Sequence, residues 1–136
     1  MTVALNPYLS FRDDAAEAMA MYQSVFGGEL TQTTFAESGM GEPGAEGIMH
    51  AQLVTPNGMT LMASDTPPSM EYTPGCAHAL SLNGDAGDAE VLREWFAGLS
   101  EGGTVTMPLE PAPWGALFGM CTDRFGVNWM VNVALS

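Results

Sequence analysis

The stretch FGMCTDRFGVNWMVNV, residues 118–133, reads as two strands joined by a tight turn at Asp123, Arg124, Phe125 and Gly126. In the second strand Val127, Trp129 and Val131 alternate with Asn128, Met130 and Asn132, so one face is apolar and the other carries amides and a thioether. A polar strand face is ordinarily a solvated surface. It can also be the wall of a cleft, and the rest of the chain decides between the two.

Upstream, the order of elements is regular. CAHALSLNG predicts a strand, and DAEVLREWFAGLSEGG predicts a helix with Asp88 near its cap and Gly102-Gly103 at its end. TVTMPLEP and ALFGMCTD predict two more strands before the last one. The first half repeats this plan. Val3 to Phe11 alternates, with Val3, Leu5, Leu9 and Phe11 on one side and Asn6, Tyr8 and Ser10 on the other. The helix RDDAAEAMAMYQSVFGG follows, with Asp13 or Asp14 as its cap, an apolar stripe of Ala16, Met19 or Ala20, and Phe26, and Gly27-Gly28 as its stop. ELTQTTFAE predicts a polar strand, Glu37 to Gly47 a flexible loop, and GIMHAQLVT and MTLMASD two strands joined through Pro56-Asn57-Gly58.

Strand, helix and three strands therefore occur twice, and the helix ends VFGGEL and LSEGGTV resemble each other. A duplication of about 60 residues per copy sets the fold. The expected class is α+β: two βαβββ modules in tandem, approximately residues 1–66 and 76–136, within a single domain over 1–136. Each copy is expected to make a small curved sheet with its helix on the apolar side. The other sides then face each other across a central cleft, and a polar strand face becomes a cleft wall.

Charge narrows the partners. Three arginines and no lysine stand against sixteen carboxylates, a formal net charge of −13. Phosphate backbones require a cationic footprint, so nucleic acid is excluded as a partner, and anionic membrane surfaces are disfavoured for the same reason. No apolar run is long enough to span a bilayer, and the N-terminus has neither the basic region nor the cleavage site of a signal peptide. Cys76 and Cys121 are too few for a disulfide framework. A cytoplasmic protein is expected.

His50 shares a strand face with Gln52, while Met49, Ala51 and Leu53 make the apolar face. Imidazole works as a base near neutral pH, so His50 is the candidate catalytic residue; the alternative is a histidine that only bonds a neighbour. His78 alternates with Leu80 and Leu82 and reads as buried and hydrogen-bonded. Trp114, in the proline-rich PLEPAPWGALFG, reads as an aromatic wall over a ligand, with Tyr8 and Phe118 as partners. Trp95, beside Phe96 and Leu99, and Trp129 read as core. So do most of the eleven methionines, with Met62 and Met130 as the exceptions. No nucleophile elbow, phosphate loop or dinucleotide fingerprint is present.

The stretches NPYLSF, YQSVFGGEL, IMHAQL, LMASD, LSEGGTVTMPL and FGMCTDRFGVNWMVN resemble the PhnB-like branch of the vicinal oxygen chelate superfamily, which includes glyoxalases, bleomycin-resistance proteins and extradiol dioxygenases. The resemblance implies a glyoxalase-like fold and a homodimer. Branch members often bear a 3-demethylubiquinone methyltransferase name, but no glycine-rich nucleotide loop appears in this chain. The superfamily's metalloenzymes hold a cation with four ligands, mostly His and Glu. Matching their pattern places the four positions at Asn6, Met62, Ala77 and Met130, none of which is a carboxylate or an imidazole. Hard cations need oxygen or imidazole donors, so the expectation is a site without metal or other cofactor. Asn6, Tyr8, Gln52 and Met62 on one side, and Trp114, Phe118, Asn128 and Met130 on the other, would then bind a small organic molecule. The alternative is a glyoxalase-type lyase or isomerase with His50 as general base, or an irregular metal site at His50 or His78.

Overall fold

The computed structural model describes residues 5–38, 47–66 and 78–135. The chain divides into two compact units, Met1–Pro74 and Gly75–Ser136.

In the first unit, strand β1 (Tyr8–Phe11) leads to helix α1 (Ala15–Phe26), followed by β2 (Glu29–Thr34), a single helical turn α2 (Phe35–Ser38), β3 (Ile48–Val54) and β4 (Thr60–Asp65). The sheet order is β1-β4-β3-β2, with β1 parallel to β4 and the other pairs antiparallel. In the second unit, β5 (Leu80–Gly84) is followed by a 3-10 turn (Ala86–Asp88), α3 (Ala89–Ser100), β6 (Thr104–Ala112), β7 (Ala116–Thr122) and β8 (Asn128–Ala134). Its order, β5-β8-β7-β6, repeats the first. The α+β tandem-module fold read from the sequence is thus the fold observed.

Each helix covers one face of its own sheet, α1 on β2, β3 and β4, and α3 on all four strands of the second. Met19 and Tyr22 of α1 are fully buried, as are Phe11 and Leu53 of the first sheet; Leu99 of α3 is fully buried, as are Cys121, Val131 and Val133 of the second. Each large apolar side chain removed from water in this way contributes about 1.5–3 kcal/mol before entropy is counted. Alternation does the rest: β4 and β8 bury every second residue, so the intervening residues point to the helix-free face.

The paired glycines have a physical cause that the two copies share. A Cβ on Gly28 would collide with the Val54 carbonyl oxygen, and one on Gly103 with the Thr122 carbonyl oxygen. Val54 and Thr122 are themselves equivalent, each lying one position beyond the residue paired with Leu61 or Trp129. At both places the chain leaving the helix presses against the end of the third strand, and only glycine fits.

Several local expectations are corrected. The strand predicted from Val3 begins at Tyr8, and Leu5 is 98% exposed instead of apolar-side; Val3 lies outside the described residues. The apolar face of α1 is Ala15, Ala18, Met19, Met21, Tyr22 and Phe26, while Ala16 and Ala20 are exposed. Neither Asp13 nor Asp14 caps this helix with its side chain: Asp14 stands at the cap position without a side-chain bond, and Asp13 has a φ of 70°. The backbone N–H of Ala15 donates instead to Asp65 Oδ1 at 2.9 Å, and Ile48 N–H donates to Asp65 Oδ2 at 2.8 Å. A buried carboxylate at the end of β4 therefore closes the helix start and anchors β3, a non-local cap that local pattern reading misses. In the second copy the turn before α3 caps itself locally, Gly87 N–H donating to Asp85 Oδ1 and Asp85 N–H to Asp88 Oδ2, both at 3.0 Å.

Candidate functional site

On the first sheet, the helix-free face is set by register. Tyr8 lies opposite Met62, Met62 opposite Gln52, and Gln52 opposite Thr31, a row across all four strands. His50 is two residues from Gln52 on the same face and opposite Thr33. The Tyr8 phenol reaches from β1 over β4 to His50, with its oxygen 3.2 Å from Nδ1 and the ring centroids 5.8 Å apart. If Tyr8 donates, His50 carries its proton on Nε2. If Nδ1–H donates to the phenol oxygen, Nε2 is the basic nitrogen. Asn6 precedes β1, half-buried and outside any strand.

On the second sheet the face carries Asn128, Met130 and Asn132 as read from the sequence, each half-buried, while Trp129, Val131 and Val133 are buried beneath α3. Asn128 is tied at both ends of its amide: Oδ1 accepts from Thr122 Oγ1 at 2.8 Å and Nδ2 donates to the His78 carbonyl at 3.2 Å. Asn132 Oδ1 accepts from Trp114 Nε1 at 3.5 Å, and the Trp114 ring meets Phe118 edge-on with centroids 5.4 Å apart. Trp114 is 65% exposed, a large aromatic surface held in place by Phe118 and an amide. The expected pairing of Trp114 with Phe118 is present, whereas Tyr8 is engaged with His50.

His78, expected on the buried side, is exposed; it precedes β5 and contributes its carbonyl to Asn128. Trp95 is half-buried, where Phe96 and Leu99 are core. The methionines are not mainly core: among the described residues Met19 and Met21 are buried, while Met49, Met59, Met62, Met120 and Met130 are half-buried and Met107 is exposed. Met120 is a face residue that the alternation Phe118, Met120, Thr122 already signalled; Met107 had no such signal.

Met62 and Met130 hold equivalent places, each on its own sheet, opposite Tyr8 on β1 and Ser81 on β5. Neither thioether, nor the amide of Asn6, is the carboxylate or imidazole with which Mg²⁺, Mn²⁺ or Ni²⁺ is held at such positions; Ala77 lies outside the described residues. Among the described residues no three His, Cys, Asp or Glu side chains are grouped to hold an ion. Cys121 is buried, which pushes its thiol pKa up and keeps it a neutral core residue. No helix among the described residues is long and apolar enough to cross a membrane.

This geometry, two copies of one βαβββ sheet with open polar faces, agrees with comparison to known proteins. The profile of the Glyoxalase/Bleomycin resistance protein/Dioxygenase superfamily matches residues 4–131, and the chain belongs to that superfamily. It is 34% identical to Protein YjdN of Escherichia coli over 95% of this chain and 94% of that protein. Among solved structures it is similar to protein PA1353 from Pseudomonas aeruginosa, with 40% identity and a TM-score of 0.88 over 99% of this chain and 100% of that one. It is also similar to a Bacillus cereus PhnB protein described as a putative 3-demethylubiquinone-9 3-methyltransferase, with 27% identity and a TM-score of 0.72 over 97% of this chain and 100% of that one.

Proposed function

We propose that this chain is a PhnB-like small-molecule-binding protein whose two modules work as one domain, without the divalent metal of its enzymatic relatives. The observation that carries this reading is the occupancy of the equivalent positions 62 and 130 by methionine. Thioethers are polarisable and adaptable, suited to apolar parts of an organic ligand. Each sheet has amides that fix orientation on the face of its own methionine: Gln52, with Asn6 before β1, in the first unit, and Asn128 and Asn132 in the second. Trp114 and Phe118 supply a flat aromatic surface, and Tyr8 a phenol. Pockets for organic ligands combine these elements: apolar and aromatic lining with a few placed polar groups. The proposed setting is the cytoplasm, as a homodimer, with neither nucleic acid nor membrane as partner.

The test is a panel of small organic compounds titrated against the protein, read through tryptophan fluorescence and repeated with Trp114→Ala. Binding that saturates and is weakened in the variant supports the reading; a panel rich in aromatic and carbonyl compounds with no binder at millimolar concentration counts against it.

A second reading is favoured by the Tyr8–His50 contact. A phenol at 3.2 Å from Nδ1 fixes the imidazole as a general base is fixed, which supports a glyoxalase-type lyase or isomerase in which His50 removes a proton next to a carbonyl, or an irregular metal site that includes His50. Turnover of hemithioacetals by the wild type and its loss in His50→Ala would support it; equal rates in the two proteins leave His50 outside any reaction.

A further inference from the structure

The helix-free face of the second sheet carries a row of methionines that neither the fold nor the core requires. Met130 on β8 lies opposite Met120 on β7, and Met120 lies opposite Met107 on β6. Three thioethers thus stand side by side on three adjacent strands. The third is there because β6 is irregular on both sides of it, with register shifts between Val105 and Met107 and between Met107 and Glu110. Regular pairing onward from Val105 opposite Cys121 would have brought Thr106 to that place. Strand irregularities of this kind re-aim a side chain. Met107 is 46% exposed, and Met120 and Met130 are half-buried, whereas Cys121, Trp129 and Val131 beside them are buried. The equivalent row of the first sheet is Thr31, Gln52 and Met62, so the architecture accepts other residues at two of the three places.

We propose that Met107, Met120 and Met130 form a binding site for a soft monovalent cation, Cu(I) or its analogue Ag(I), held by the three Sδ atoms. Thioether donors select Cu(I) over Mg²⁺, Ca²⁺ or Mn²⁺. Directly opposed residues have Cβ atoms about 4.5–5.5 Å apart. Metal–sulfur bonds of about 2.3 Å require the sulfurs of a trigonal site to stand about 4 Å from one another. Met107 on β6 and Met130 on β8 start two strand spacings, about 9.5 Å, apart, so both side chains lean across Met120 to close the site, a reach that flexible, unbranched methionine allows. Three neutral ligands leave the bound ion its positive charge, which a chain of net charge −13 favours. Glu110, opposite Phe118 on the same face, is the nearest carboxylate along β6. The site shares only Met130 with the residues proposed for the organic ligand.

A thioether has no proton to lose, so binding here is independent of pH where thiol, imidazole or carboxylate sites weaken on acidification. The test is anaerobic competition for Cu(I) with bicinchoninate, on a Cys76→Ser background that removes the one thiol besides the buried Cys121. One Cu(I) per chain is expected, with the same retention at about pH 7 and about pH 5, where a histidine site would be lost. Met107→Leu and Met120→Leu conserve volume and should leave melting nearly unchanged, yet each should weaken retention by about tenfold or more. With methyl-labelled methionine, Ag(I) should move the three resonances of the row and no others. The proposal is overturned if the background protein retains no Cu(I), if the Met107→Leu/Met120→Leu double variant retains it unchanged, or if retention falls as histidine titrates.

Discussion

Asp123 Oδ2 accepts the indole N–H of Trp129 at 2.9 Å, and its other oxygen accepts the backbone N–H groups of Phe125 and Val127 at 2.9 and 3.1 Å. One buried carboxylate therefore shapes the β7–β8 turn and orients the largest side chain of the following strand. The alternation of Asn128, Met130 and Asn132 onto the open face depends on that register. Asp123→Ala leaves three donors without their acceptor and should cost about 3 kcal/mol or more, whereas Trp129→Phe, which keeps the turn, should cost less. Urea denaturation of the two variants gives the comparison, and an equal cost would contradict this division of roles.

Asp65 does the same for the first unit, joining α1 to β3 through Ala15 and Ile48. Asp65→Ala should destabilise by about 2–5 kcal/mol, with two buried N–H groups left unpaired. Amide hydrogen exchange should accelerate first at Ala15 and Ile48. Uniform acceleration across the chain would show the carboxylate to be merely one contact among many.

Substituting three glycines separates sterics from backbone freedom, because Gly103 has a collision without a positive φ, Gly58 a positive φ without a collision, and Gly28, at φ 105°, has both. Gly28→Ala and Gly103→Ala each drive a methyl into a carbonyl oxygen and should cost more than about 2 kcal/mol. Gly58 has a φ of 85° but open space around it, so Gly58→Ala should cost only about 1 kcal/mol. Thermal melts of the three variants should fall in that order.

Asp14 gives a pH signature. Burial raises its carboxyl pKa, and the negative charges of Asp65 and Glu17 add to the rise. A raised folded-state value means that the contribution of Asp14 to stability is full below its unfolded value and is lost as pH rises through the folded value. Asp14→Asn should accordingly melt above wild type at neutral pH, and the gap should close below about pH 4. A constant gap across that range would assign the effect to helix capping alone.

Tyr8 and His50 lie on an open face, so their hydrogen bond contributes at most about 1 kcal/mol to folding. Tyr8→Phe and His50→Ala should fold normally, and any loss of ligand affinity or turnover in them reports the site and not the scaffold. Parallel melting and binding curves check this.

The fold was legible because its signals are periodic and duplicated: alternation in 118–133, a hairpin turn at Pro56-Asn57-Gly58, and double glycines after both helices. What sequence reading missed was non-local. The cap of α1 comes from Asp65, fifty residues away, so Asp13 and Asp14 misled. The Met107 position depends on two strand irregularities that shift the pairing, which no alternation pattern reveals. His78 follows the parity of Leu80 and Leu82 but precedes the strand, where parity no longer implies burial. At the candidate site, the face of His50 and Gln52 and the contact between Trp114 and Phe118 were legible; the hydrogen bond between Tyr8 and His50 was not, since it spans three strands.

The most direct test of the central claim is the divalent metal content of the protein purified without chelators. With no carboxylate or imidazole at Asn6, at Met62 or at Met130, no stoichiometric magnesium, manganese, nickel, iron or zinc is expected. One equivalent of such an ion per chain, released by His50→Ala, would contradict it.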